Sequence, residues 1–223
     1  HRELTILAAD PESVPGPCGN AGNGRTEGAR QRNPAPTHAS AATDVIVGPQ
    51  GERALSSAEG GVAMLWELSD CRLIARLGQD SGGIADVAFS PDGSQVATAA
   101  LDGTARVWSA QTGKPSSSIL RHRGRVLFVE FGPKGKRVLT GTSKAVAAIW
   151  DVRSGERAAV FRHHERDVAV GDFAPNGQRV VTGAVGPQQA LRTHVWTATG
   201  EQLTSFPQEG RILTAQFVGD ANR

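Results

Sequence analysis

The chain has 223 residues, with 27 glycines, 12 prolines, no tyrosine and only 5% aromatic residues. Its formal charge of +2 makes no case for nucleic-acid or membrane binding by the chain as a whole, and no apolar run approaches the ~20 residues that span a bilayer. Two cysteines, Cys18 and Cys71, are too few for a disulfide scaffold or, alone, a structural zinc site, and read as free thiols of a reducing, cytoplasmic compartment.

At the start of the chain, Leu4, Ile6 and Ala8 alternate with Glu3, Thr5 and Leu7, which predicts one short strand. Pro11 to Thr37 is filled with Pro, Gly, Asn, Ala and charged residues without apolar periodicity. Residues 1–37 therefore read as a strand followed by an irregular, low-complexity segment.

From residue 38 onward the sequence repeats itself. Trp66, Trp108, Trp150 and Trp196 are its four tryptophans, separated by 42, 42 and 46 residues. The same shift superposes Val47-Gly48-Pro49-Gln50-Gly51, Phe89-Ser90-Pro91-Asp92-Gly93, Phe131-Gly132-Pro133-Lys134-Gly135 and Phe173-Ala174-Pro175-Asn176-Gly177. In each copy an alternating apolar run leads to the Pro-x-Gly turn, a second run follows, and a third ends on Trp. A Gly turn and a fourth short run, such as Ser118-Ile119-Leu120, complete the unit. Period-two alternation broken every ~8–12 residues by turn signals predicts antiparallel strands joined as hairpins. A four-stranded unit of ~40–45 residues is the size of one propeller blade.

These units resemble the repeats of the WD-repeat family, most clearly in Phe89–Gly93 with Leu101-Asp102-Gly103-Thr104-Ala105-Arg106-Val107-Trp108, and in the Trp150-Asp151 pair. The resemblance covers about residues 38 to 217. It implies an all-β propeller with blades at about 38–79, 80–121, 122–163 and 164–207. A fifth, over 208–223, begins at Arg211-Ile212-Leu213. The family closes rings of more blades than this, so open edges with unpaired backbone groups are expected. The chain is then part of a larger ring, or another chain completes it and self-association follows.

The resemblance also implies a buried hydrogen-bonded set of His, Ser/Thr, Asp and Trp in each blade. Carried over by position, it gives His38, Ser56 and Trp66, with Gly60 for the Asp. The second blade has Thr98, Asp102 and Trp108, with Asp80 for the His. The third has His122, Thr140 and Trp150, with Lys144 for the Asp. The fourth has His164, Thr182 and Trp196, with four extra residues around Gly186-Pro187-Gln188-Gln189. Every set is incomplete, which is costly because a half-satisfied buried network is worse than an apolar one.

In this family partners commonly sit on the narrow face around the central channel. The corresponding positions are Ala41, Thr43 and Glu59; Gly83, Ala85 and Leu101; Arg125, Leu127 and Ser143; Asp167 and Ala169; Arg211 and Leu213. Leu101 and Leu127 are expected to be exposed beside Arg125 and Arg211, the composition of an interface anchor. His163-His164 lacks the i, i+4 spacing of two ligands on one helix face, so no metal is expected. No phosphate loop, nucleophile elbow or catalytic carboxylate pair stands in a suitable setting, so neither enzyme activity nor a cofactor is expected. Between Lys114 and Arg166, twelve Lys/Arg face four acids, which makes the third blade a basic wedge. Its two basic loops, Arg121–Arg125 and Lys134–Arg137, emerge at opposite ends of the blade. The function expected is a protein-interaction scaffold or sensing propeller. The alternative is nucleic-acid or phosphate binding by the basic blade.

Overall fold

The computed structural model describes residues 42–58, 61–78, 82–163, 167–185, 191–207, 212 and 215–217. It contains sixteen strands and no helix among those residues, arranged as four antiparallel four-stranded sheets. The first sheet is β1 (Ala42–Val47), β2 (Arg53–Ala58), β3 (Val62–Glu67) and β4 (Arg72–Gly78). The second is β5 (Ile84–Phe89), β6 (Gln95–Ala100), β7 (Thr104–Ser109) and β8 (Leu120–Arg121). The third is β9 (Val126–Phe131), β10 (Arg137–Thr142), β11 (Val146–Asp151) and β12 (Arg157–Arg162). The fourth is β13 (Asp167–Phe173), β14 (Arg179–Val185), β15 (Arg192–Thr197) and β16 (Gln202–Pro207). Each sheet is a meander whose strands pair in chain order, as hairpin-length connections require.

Alternating apolar residues explain why four sheets stack as blades. Leu55, Leu65 and Leu77 of the first sheet share a core with Val87, Val96 and Trp108 of the second. Ala99 and Val107 of the second meet Val129, Val138 and Trp150 of the third. Leu139, Ile149 and Phe161 of the third meet Val168, Val180 and Trp196 of the fourth. Each of these tryptophans thus plugs its blade onto the preceding one and buries the largest apolar surface available to one side chain. The inner strands β5, β9 and β13 lie side by side. The sheets stack through their faces, so among the described residues the first and last blades each have one face without a neighbouring blade. Val45 and Val47 of the first blade and Leu203 and Phe206 of the last are exposed.

The Pro-x-Gly turns close each first hairpin. Gly51, Gly93, Gly135 and Gly177 sit at φ between 65° and 72°, in the left-handed region where a side chain is penalised. One residue per inner strand is bulged out of register, between Ala42 and Asp44, Ile84 and Asp86, Val126 and Phe128, and Val168 and Val170. Gly141 and Gly171 make room for the Phe128 ring between the third and fourth blades; a Cβ on Gly141 would meet that ring and the Val168 carbonyl. Gly141→Ala is expected to cost about 1–3 kcal/mol by overpacking. A lowered urea midpoint checks this, and an unchanged midpoint would contradict it.

Two expectations need correction. The fourth run of the second blade does not form a strand at Ser118. Pro115 makes an isolated bridge with Trp108, offers no N–H to continue the ladder, and pairing resumes only at Leu120. Arg211 and Leu213, where a fifth blade is expected to begin, lie outside the described residues, although the Phe217 N–H reaches Asp172 Oδ2 at 3.1 Å. Cys71, at φ 58° in the β3–β4 turn, is disulfide-bonded, which removes the free-thiol argument for a reducing compartment. The short strand at Leu4–Ala8 and the segment 9–37 lie outside the described residues.

Candidate functional site

Four of the positions proposed for partner contact come together at one end of the blades. Leu101 caps the β6–β7 turn, Arg125 precedes β9, Ser143 lies in the β10–β11 turn and Asp167 opens β13. They line one depression of about 440 Å3 with Asp102, His122, Arg123 and Lys144. The loops are fixed from below. Ser143 N–H donates to the Arg125 carbonyl at 3.0 Å, and the Ser143 hydroxyl accepts the Arg125 N–H at 3.1 Å. Leu101 N–H donates to Gly83 O at 2.9 Å, which leaves its side chain 40% exposed. Among the described residues Arg125 forms no ion pair. The depression therefore offers an apolar knob beside a guanidinium that has no ion-pair partner among the described residues, on a held backbone.

Ala85 and Leu127 line a second cavity, about 470 Å3, deeper along the inner strands, with Ala169. Leu127 is half-buried there, against the expectation that it is exposed. It is the bulged residue of β9, and a bulge re-aims its side chain. The backbone of Thr43 lies in β1, while its side chain, Ala41, Glu59, Arg211, Leu213, His38 and His164 lie outside the described residues.

Composition gave no hint that this second cavity is acidic. Asp86, Glu130 and Asp172 line it, each an acid within an apolar inner strand, and that placement is the signal that locates them. Asp86 Oδ2 accepts the Val129 N–H of the next blade at 2.9 Å. Burial pushes the Asp86 carboxyl up to about 6, opposed by its bonds from the Val129 and Val87 amides. Burial, then Asp172 and Asp86, pushes Glu130 up to about 7. No group of three His, Cys, Asp or Glu able to hold a metal ion occurs among the described residues, and none of their helices is long and apolar enough to cross a membrane.

The buried indole networks have a common geometry. Trp66 Nε1–H donates to Ser56 Oγ at 2.8 Å, Trp108 to Thr98 Oγ1 at 3.1 Å, Trp150 to Thr140 Oγ1 at 2.9 Å and Trp196 to Thr182 Oγ1 at 2.8 Å. His122 Nε2 lies 3.1 Å from Thr140 Oγ1. The Thr140 hydroxyl also lies 3.3 Å from the Ala148 carbonyl, to which it donates, so it joins the indole, the imidazole and the backbone of β11. Burial, then Arg157, holds the His122 pKa down to about 4, which keeps the ring neutral. The imidazole on Thr182 belongs to His163, at 2.9 Å, one residue before the His164 that positional matching selects. Ala147 pairs with Phe161 where Ala105 pairs with Leu120, so the chain between those two paired positions is one residue shorter in the third blade. His194 stacks on Trp196 at 5.4 Å, a buried partner the repeat pattern does not contain. Asp102 accepts the Thr104 N–H and hydroxyl at 2.9 and 2.6 Å, so it braces its own turn.

Residues 71–109, from the β3–β4 turn through β7, match the family described as WD domain, G-beta repeat. No curated protein matches the chain. Among solved structures, the crystal structure of the computationally designed Ika8 protein is similar at a TM-score of 0.70 and 22% sequence identity. The likeness covers 82% of this chain and 54% of that one, so the chain spans about half the length of that structure. At this identity the likeness is one of fold.

Proposed function

Because this chain is a WD-repeat β-propeller protein, we propose that it is a non-enzymatic scaffold that engages a partner protein at the Leu101–Arg125 end of its blades. WD-repeat domains generally mediate protein interactions, and fold alone does not choose the surface. The observation that favours this end is the single depression gathering Leu101, Arg125, Ser143 and Asp167 from three blades. An exposed leucine beside an arginine without an ion pair is the composition of an interface anchor. The test is a photo-crosslinker placed at Leu101 in the full chain. One discrete adduct, lost in Arg125→Glu while the melting temperature holds, supports the reading; adducts that persist in Arg125→Glu overturn it.

The exposed Val47 and Phe206 on the two end blades favour self-association as an additional property. Light scattering is expected to give a mass that rises with concentration, and Val47→Lys with Phe206→Lys is expected to reduce that rise. A constant monomeric mass would count against it.

A further inference from the structure

The opposite end of the third and fourth blades carries a second, chemically different surface. β9 runs from Val126 to Phe131, so the β9–β10 turn lies about 20 Å from Arg125 at ~3.3 Å per residue. There a depression of about 360 Å3 is lined by Lys134, Lys136 and Arg137, by Phe173 and Asn176, and, among the described residues, by no carboxylate. The three cationic residues are exposed and form no ion pair among the described residues. Pro133 packs within reach of Gly177, whose Cβ would lie 3.3 Å from its Cγ, so the turns of two blades wall the depression together.

The absence of a counter-charge has a cause in the repeat. In the first blade Arg53 pairs in register with Glu67, and the two form an ion pair at 3.4 Å. In the third blade Arg137 stands in the same register against Asp151. That shorter side chain turns back instead, accepting the Arg153 and Ser154 N–H groups at 3.0 and 2.9 Å. In the fourth blade Arg179 faces Thr197. The first blade thus holds its cation in an ion pair, whereas Arg137 and Arg179 form none among the described residues, Asp151 acting on Arg137 only at longer range.

We propose that this depression docks a short acidic segment of a partner protein, with Lys134, Lys136 and Arg137 holding its carboxylates. The extent of the surface favours a peptide over a nucleic acid. At the same end, the space between the first and second blades is lined by Glu52 and Asp92, so a polyanion with a charge every ~1.7 Å would run from the cations into carboxylates. The buried Phe173 and the Pro133 ring add an apolar floor, which suits carboxylates interleaved with small apolar side chains.

The test uses the full chain and three fluorescein-labelled probes: a decapeptide of alternating Glu and Ala, its Gln-for-Glu counterpart, and single-stranded oligo-dT. Anisotropy is expected to show salt-sensitive binding of the acidic peptide alone. Lys134→Glu with Arg137→Glu should weaken it about tenfold or more, at up to about fivefold per exposed charge contact. Two milder variants guard against misfolding of the first. Lys136→Gln removes one exposed charge, and Asp151→Glu keeps every cation while giving Arg137 the partner that Arg53 has. Each should weaken binding about two- to fivefold, whereas Arg125→Glu at the other end should not. Equal binding of acidic and Gln peptides, insensitivity to the milder variants, or tighter oligo-dT binding through the same residues would each overturn the proposal. The crosslinking experiment at Leu101 is independent of all three outcomes.

Discussion

Thr140→Val is expected to destabilise the protein by about 2–4 kcal/mol, close to twice the effect of Thr98→Val. Both residues are buried, and valine matches threonine in shape, so the change isolates the hydroxyl. Thr140 takes the Trp150 N–H, meets His122 Nε2 and donates to the Ala148 carbonyl, so its loss removes the partner of both the indole and the imidazole. The described residues give Thr98 the Trp108 N–H alone, and its loss orphans one group. Urea unfolding followed by tryptophan fluorescence measures both. Equal shifts in midpoint would show that the imidazole contributes nothing to the third blade.

The acidic cavity should make stability depend on pH in a direction unusual for carboxylates. Glu130 titrates at about 7 in the fold against 4.5 as a free side chain, and Asp86 at about 6 against 3.8. Between roughly pH 4 and pH 7 the folded chain therefore holds more protons than the unfolded one, and stability falls as pH rises. His122 acts in the opposite sense. Its pKa of about 4 lies below the 6.5 of a free imidazole, so its contribution is lost as pH drops from 6.5 towards 4. In the native chain the two trends oppose each other. Glu130→Gln removes its own part of the first trend and leaves that of Asp86, which arises from that residue's own burial. At pH 8 it should stabilise the protein by up to about 2–3 kcal/mol, and the fall in stability from pH 4 to 7 should become shallower. Melting temperatures of both proteins from pH 4 to 8 decide it. Parallel profiles for the two would mean that Glu130 is solvated in the fold.

The blades were legible because their signals are local and redundant. Four tryptophans, four Pro-x-Gly turns and period-two alternation all point to the same antiparallel meander. The failures share a cause, since each depends on where one element meets another. His164 is the right distance from Thr182 along the chain, but one residue fewer between the paired positions of β11 and β12 brings His163 to the hydroxyl. Leu127 reads as a loop side chain until the bulge turns it into the cavity. Asp86, Glu130 and Asp172 are individually unremarkable acids, and only the side-by-side placement of the inner strands makes them neighbours. At the far end, Arg137 is one of many basic residues. The register that sets it against the short Asp151 side chain explains why the two form no ion pair.

The inner-strand bulges recur at residues 43, 85, 127 and 169, once per blade at the same place. An extra residue of this kind has no cross-strand partner, so its identity is released from the pairing rules that govern its neighbours. The sequence uses that freedom, placing Thr, Ala, Leu and Ala there. Three of the four line the acidic cavity. The propeller thus carries an interchangeable rail along its channel, where composition can change from blade to blade while the frame that holds it keeps its register.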